Sequence, residues 1–177
     1  MLIHDVNEQS VFSFAFGVCR IEPENNVHVI LEAFAENVVL PLIMVGNWER
    51  SEYGKHLKLQ YDGNPNITLL PPIYDQVQLN SYRAHCTLYL HGHSCGGTNP
   101  SLVEAMYLGL PIAAFDCNFN RETTENKALY FKDSESLRAI VNHLSELNLP
   151  QVAADMKEVA DRRYTWKRIA DCYARLL

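Results

Sequence analysis

The chain has 177 residues, with 15 basic and 21 acidic side chains and a formal net charge of −6. Apolar residues make up 47% and charged residues 20%, which excludes a disordered, collagenous or low-complexity chain. This length supports one good core, and a net negative chain repels phosphate backbones, so a single domain without nucleic-acid binding is expected.

In chain order, Phe12, Phe14, Phe16 and Val18 alternate with smaller residues and read as a first strand. Glu22-Pro-Glu-Asn-Asn26 is a turn rich in breakers. Val27, Ile30, Leu31 and Phe34 then fall at helical spacing. Leu42–Val45 is a short apolar run, typical of a strand buried on both faces. A polar helix follows over about 49–60, and a third strand over 66–70 is stopped by Pro71-Pro72. A helix is predicted over 76–83, a strand over 86–90, and a helix over 101–108 closed by Gly109 and Pro111. Strands over 112–115 and 128–131 follow, then helices over 134–147 and 152–175. Strands alternating with helices predict an α/β fold, a Rossmann-like three-layer α/β/α domain with a parallel sheet. Such sheets bind ligands at the carboxyl ends of their strands, at a topological switch point.

The five cysteines are odd in number and widely spaced, without a CxxC, so no disulfide framework and a cytoplasmic setting are expected. No segment resembles a signal peptide, and the longest apolar runs fall far short of the roughly 18–20 residues of a membrane span.

The strand-end loops carry the chemistry. His91-Gly-His-Ser-Cys-Gly-Gly-Thr-Asn-Pro-Ser-Leu102 follows the fourth strand and enters a helix. Gly96 and Gly97 permit close approach, Asn99 or Ser101 can cap, and Pro100 suits the first turn. A helix N-terminus there offers amide donors to an anion. Glu104, placed in the first turn, is either an acid favouring the dipole or an acceptor for vicinal ribose hydroxyls. Arg20, after the first strand, suits a phosphate or pairs with Glu22 or Glu24. His91, His93 and Cys95 show metal-like spacing but no fourth ligand, so no metal is expected. Arg121–Glu125 lies past the fifth strand, again on the crevice side, or is simply a solvated loop. No GxGxxG, GxxxxGK[ST] or GxSxG occurs, which disfavours dinucleotide oxidoreductase, P-loop and serine-hydrolase chemistry.

Several segments, in order, resemble group 1 (family 4) glycosyltransferases. Cys19-Arg-Ile-Glu-Pro-Glu-Asn-Asn-Val-His-Val-Ile-Leu-Glu-Ala-Phe34 is similar to their "GR-hxxEKG-hxxLIEAF" segment, and Leu42–Gly46 to their "LxIvG" strand. Residues 66–83 resemble "nVxfLGxvxdeeLxxLY". Asn99-Pro-Ser-Leu-Val-Glu-Ala-Met-Tyr-Leu-Gly-Leu-Pro-Ile-Ala-Ala114 resembles "PxxLEAMAxGxPVIA", the most specific match, and Tyr164–Ala170 resembles "ysWxxia". The resemblance implies the C-terminal, donor-binding half of a GT-B enzyme, with residues 1–177 as one donor domain and the N-terminal acceptor domain absent. The final helix, about 152–175, would pack on that missing half.

By this resemblance Arg20 contacts the donor diphosphate and acts as the catalytic cation. Backbone N–H groups near Asn99, Pro100, Ser101 and Leu102 hold the distal phosphate, and Gly97 is a further donor-site candidate. Glu104 takes the ribose, and Ile73–Tyr74 reads the base. The family's Lys falls on Asn25 or Asn26, making Asn26 a donor-site candidate. Its first Glu falls on Gly96, leaving His91, His93, Thr98 or Asn99 to meet the sugar. The loop around 91–106 is most similar to a bacterial branch that includes capsule and cell-surface polysaccharide rhamnosyltransferases. The expected partners are a nucleotide-sugar donor, dTDP-rhamnose or a UDP-sugar, and a glycan or lipid-linked acceptor bound by the missing half. Transfer would be retaining, without cofactor or metal, in the cytoplasm, with membrane contact only peripheral in the full-length enzyme and the isolated domain inactive. A non-catalytic nucleotide-binding module and a GT-B-like sugar-nucleotide epimerase are the alternative readings.

Overall fold

A computed structural model of the chain describes residues 13–36, 38–165 and 168. Six parallel strands form one sheet in the order β3-β2-β1-β4-β5-β6. They are β1 (Ala15–Val18), β2 (Leu42–Val45), β3 (Ile67–Leu70), β4 (Leu88–His91), β5 (Ile112–Phe115) and β6 (Leu129–Phe131). The helices are α1 (Val27–Ala35), α2 (Glu52–Tyr61), α3 (Gln76–His85), α4 (Pro100–Tyr107), α5 (Asn118–Thr123), α6 (Ser134–Asn142) and α7 (Leu149–Arg163). The expected α/β class and parallel sheet are both present.

The strands are apolar on both faces because both faces are covered. Ala15, Leu42, Met44, Leu88 and Leu90 point toward a core with Leu31 and Phe34 of α1 and Leu137 and Val141 of α6. The alternate positions Phe16, Val45, Tyr89, Ile112 and Ala114 meet Leu79 of α3, Leu102 and Met106 of α4 and Met156, Val159 and Ala160 of α7. Register aligns Phe16 with Ile43 on one side and with Tyr89 on the other.

Five helices begin at a side-chain cap. Ser51 accepts from the Gly54 amide, Asp75 from Val77 and Gln78, Asn99 from Ser101, Asp133 from Ser136 and Asn148 from Gln151. The exceptions are α1 and α5, which have no side-chain cap bond. Both lie at the carboxyl edge of the sheet, where their polar residues are engaged elsewhere.

Some sequence expectations shift. The turn over 22–26 closes as a single 3-10 turn, Pro23–Asn25. The 134–147 helix stops at Asn142 and continues as a 3-10 turn, Leu144–Glu146. Arg121–Glu125 is no solvated loop: it enters helix α5, with Asn120 and Thr123 buried. Phe12 and, from the expected 152–175 helix, Trp166, Ile169 and Tyr173 lie outside the described residues, and α7 runs from Leu149 to Arg163. Among the described residues no helix is long and apolar enough to cross a membrane, and the four described cysteines are free.

Candidate functional site

At the carboxyl edge, the chain leaves β1 toward one face and β4 toward the other, which opens the crevice of a switch point. Two loops meet there, residues 19–26 after β1 and 92–99 after β4. They are sewn together. The Asn25 amide donates to the Arg20 carbonyl at 2.8 Å, and its Oδ1 lies 2.8 Å from His93 Nδ1. The Asn26 amide donates to the Gly92 carbonyl at 2.9 Å. The amide and hydroxyl of Ser94 both donate to the Glu24 carbonyl, at 2.9 and 3.0 Å. A Cβ at Gly92 would stand 2.1 Å from the Asn25 carbonyl oxygen, so only glycine allows this approach. Asn26 adopts φ 47°, a left-handed conformation that asparagine tolerates. Its side-chain amide nitrogen holds the seam, which leaves only its oxygen for the expected donor role.

Helix α5 backs the seam. Asn120 donates to the carbonyls of His93 (2.8 Å) and Phe115 (2.9 Å), and the Thr123 hydroxyl reaches the Thr98 hydroxyl at 3.4 Å. Sequence reasoning missed Asn120, because Asn is a weak helix former that favours turns and caps. A signal was present in two polar residues at helical spacing just after a buried strand.

His91 is the last residue of β4 and only 4% exposed. Burial, then the nearby His93, pushes its pKa down to about 3, and its Nε2 has no partner. It is a neutral side chain within the fold and no proton donor at neutral pH. His93 is held by Asn25, and Cys95 is exposed. No group of three or more metal-binding side chains gathers among the described residues.

The start of α4 differs from expectation. Pro100 has no amide hydrogen, the Ser101 amide donates to Asn99 Oδ1 at 3.0 Å, and the Leu102 amide donates to the Asn99 carbonyl at 3.1 Å. Ser101 and Leu102 amides are therefore already bonded. The amides of Gly96, Gly97, Thr98 and Asn99 have no bond within the described residues. Gly96 sits at φ +77°, and a Cβ on either glycine would meet open space. The donors available to an anion lie in the loop, one turn earlier than the helix.

Glu104 is the fifth residue of α4 and stands in its second turn, not the first. Its Oε2 accepts from Arg83 Nη2 at 2.8 Å. Arg83, the α3 guanidinium, is 5% exposed, and its Nη1 donates to Asn80. Glu104 is thus the counter-charge of a buried cation, while its own side chain is 58% exposed and has an oxygen left to accept. Arg83 was missed because an arginine near a helix C-terminus reads as a solvent-facing dipole partner.

Arg20 points outward, with Glu22 at 3.4 Å. Beside it a cavity of about 220 Å³ opens over the ends of β1 and β2, closed by Pro72, Ile73 and Tyr74. Arg50, also missed from sequence, is its second guanidinium. None of residues 96–102 lines this cavity.

A family profile described as "Glycosyl transferases group 1" matches residues 6–163. No curated protein sequence matches the chain significantly. Among solved structures, HepE of Anabaena in complex with UDP-glucose superposes with a TM-score of 0.75 at 21% identity, over 92% of this chain and 49% of that one. The pneumococcal O-GlcNAc transferase in complex with UDP and GlcNAc gives 0.72 at 18% identity, over 93% and 35%. The sucrose-phosphate synthase of Thermosynechococcus elongatus gives 0.77 at 18% identity, over 95% and 45%. These likenesses establish the fold, and the chain spans half or less of each of these enzymes.

Proposed function

The chain belongs to the group 1 glycosyl transferases, and we propose that its crevice is the donor site of a longer transferase. The donor is a nucleotide-diphosphate sugar, a UDP-sugar or dTDP-rhamnose, and the acceptor is a glycan or lipid-linked glycan bound by another part of the enzyme. The observation that carries this reading is Arg20 lining a cavity at the carboxyl end of β1, beside the switch point. The unbonded amides of Gly96–Asn99 belong to the loop after β4, which is hydrogen-bonded to Arg20's own loop at the same sheet edge. The neighbours' bound UDP, and UDP-glucose in HepE, support the donor class. The similarity of residues 91–106 to surface-polysaccharide rhamnosyltransferases supports the sugar and the pathway class.

The chemistry asked of this site is electrostatic. As the glycosidic bond breaks, the departing diphosphate gains negative charge. A guanidinium and amides aimed at that charge stabilise the transition state more than the ground state. In this reading Arg20 and the Gly96–Asn99 amides hold the diphosphate, Ile73–Tyr74 flank the base, and the free oxygen of Glu104 accepts a ribose hydroxyl. Retention follows if the leaving diphosphate takes the acceptor's proton on the same face. The epimerase alternative needs acid–base side chains. The two crevice histidines serve it poorly, one buried and neutral, the other bonded to Asn25.

The test is transfer by the full-length enzyme from a panel of sugar nucleotides that includes dTDP-rhamnose and UDP-glucose. Turnover with one of them is expected. Binding without turnover for every donor would favour the non-catalytic module.

A further inference from the structure

Resting on the donor-site reading, we propose that Arg50 is the second phosphate-binding cation of this crevice. β1 and β2 are adjacent parallel strands with Val18 opposite Val45, so the loops that follow them lie side by side. Arg20 follows the first and Arg50 the second, and both line the same cavity. Their electrostatic situations differ. Arg20 shares its charge with Glu22 at 3.4 Å. Arg50 is flanked by Glu49 and Glu52, but those carboxylates are bonded to Lys58 at 2.9 Å and Lys55 at 2.8 Å. Among the described residues no carboxylate comes within ion-pair distance of Arg50. An unpaired guanidinium in a concave site is an open anion position.

The ligand's charge calls for it. A sugar nucleotide carries about two negative charges on its diphosphate, and the leaving nucleoside diphosphate about three. Arg20 is already partly compensated. The loop between β1 and α1 offers no other cation, and its Asn25 and Asn26 amides are bonded to the Arg20 and Gly92 carbonyls. Much of the remaining lining, including Val18, Ile21, Val45 and Ile73, is apolar, with Asn47 and Tyr74 the polar exceptions; the apolar part lowers the local dielectric and strengthens charge pairing.

The same apolar walls also suit a flat base, and pyrophosphate separates the two roles because it has no base. The experiment titrates the 177-residue chain with pyrophosphate and with UDP, for wild type, Arg50→Ala, Arg50→Lys and Arg20→Ala, with a thermal melt of each. Arg50→Ala is expected to weaken both ligands about tenfold, flatten their salt dependence and leave the melt unchanged. Arg50→Lys is expected to recover most of the affinity. If Arg50→Ala leaves pyrophosphate binding unchanged while Arg20→Ala weakens it, Arg50 is no phosphate ligand and the donor reading stands. If wild type binds neither pyrophosphate nor UDP, the donor reading falls and Arg50's role falls with it.

Discussion

The crevice has a sewn side, where the loops after β1 and β4 meet against α5, and an open side. On the sewn side Asn25, Asn26, Gly92, His93, Ser94 and Asn120 are committed to one another. On the open side Arg20 is 63% exposed, Tyr74 is 84% exposed, and Gly96 and Gly97 face empty space. The difference separates two jobs that sequence proximity confuses. Polar residues at a strand end are not all ligands; some fix the backbone so that their neighbours can be. Substitutions on the sewn side should therefore cost stability, and those on the open side should cost binding alone.

The strongest way to break this division is Gly92→Ala. A Cβ 2.1 Å from the Asn25 carbonyl forces the two loops apart, and a loss of about 3 kcal/mol in urea unfolding is expected. An unchanged midpoint would show that the loops are not in fixed contact. Glu104→Gln comes next. It leaves Arg83 buried without its counter-charge, and because Glu104 is half exposed the expected loss is about 1–3 kcal/mol. Equal stability of this variant and wild type would make Glu104 a free surface acid.

Acid should reveal His91. Held neutral by burial, it binds fewer protons folded than unfolded between its depressed pKa of about 3 and the ordinary 6.5. Its stabilising contribution is complete above 6.5 and declines as pH falls below it, by up to about 1.4 kcal/mol per pH unit. Urea midpoints measured from pH 7.5 to 4.5 should stay level and then drop below 6.5; a level profile throughout contradicts a buried neutral His91. The smallest effect belongs to the open side. Gly97→Ala meets no atom within 4 Å, and a change under about 0.5 kcal/mol is expected from its melt.

Much of the fold was legible because the strands are apolar runs punctuated by Pro71-Pro72, Gly109 and Pro111; the Ser51 cap, which sets the start of α2 at Glu52 rather than near 49, was not read. α5 was not legible. Its Asn-Phe-Asn-Arg-Glu-Thr sequence has no apolar stripe, and what ties it to the fold is Asn120, which donates to the His93 and Phe115 carbonyls. The site was legible in its place but less so in its parts. Arg20 and the glycine-rich loop stand at the crevice as the strand-end rule requires. Which amides stay free depends on the Asn99 cap, whose hydrogen bonds no spacing reveals. The pairing of Arg83 with Glu104 joins residues 21 apart in sequence, from two helices on one face of the sheet, and only packing brings them together.

The central claim is that the open side holds a diphosphate through Arg20. Calorimetric titration of the chain with UDP and dTDP, alongside Arg20→Ala and a melt of both proteins, tests it most directly. The account predicts binding by wild type, a loss of about 1.5–3 kcal/mol in Arg20→Ala, and identical melting temperatures. Equal affinity in the two proteins, or no binding of either nucleotide by wild type, would contradict it.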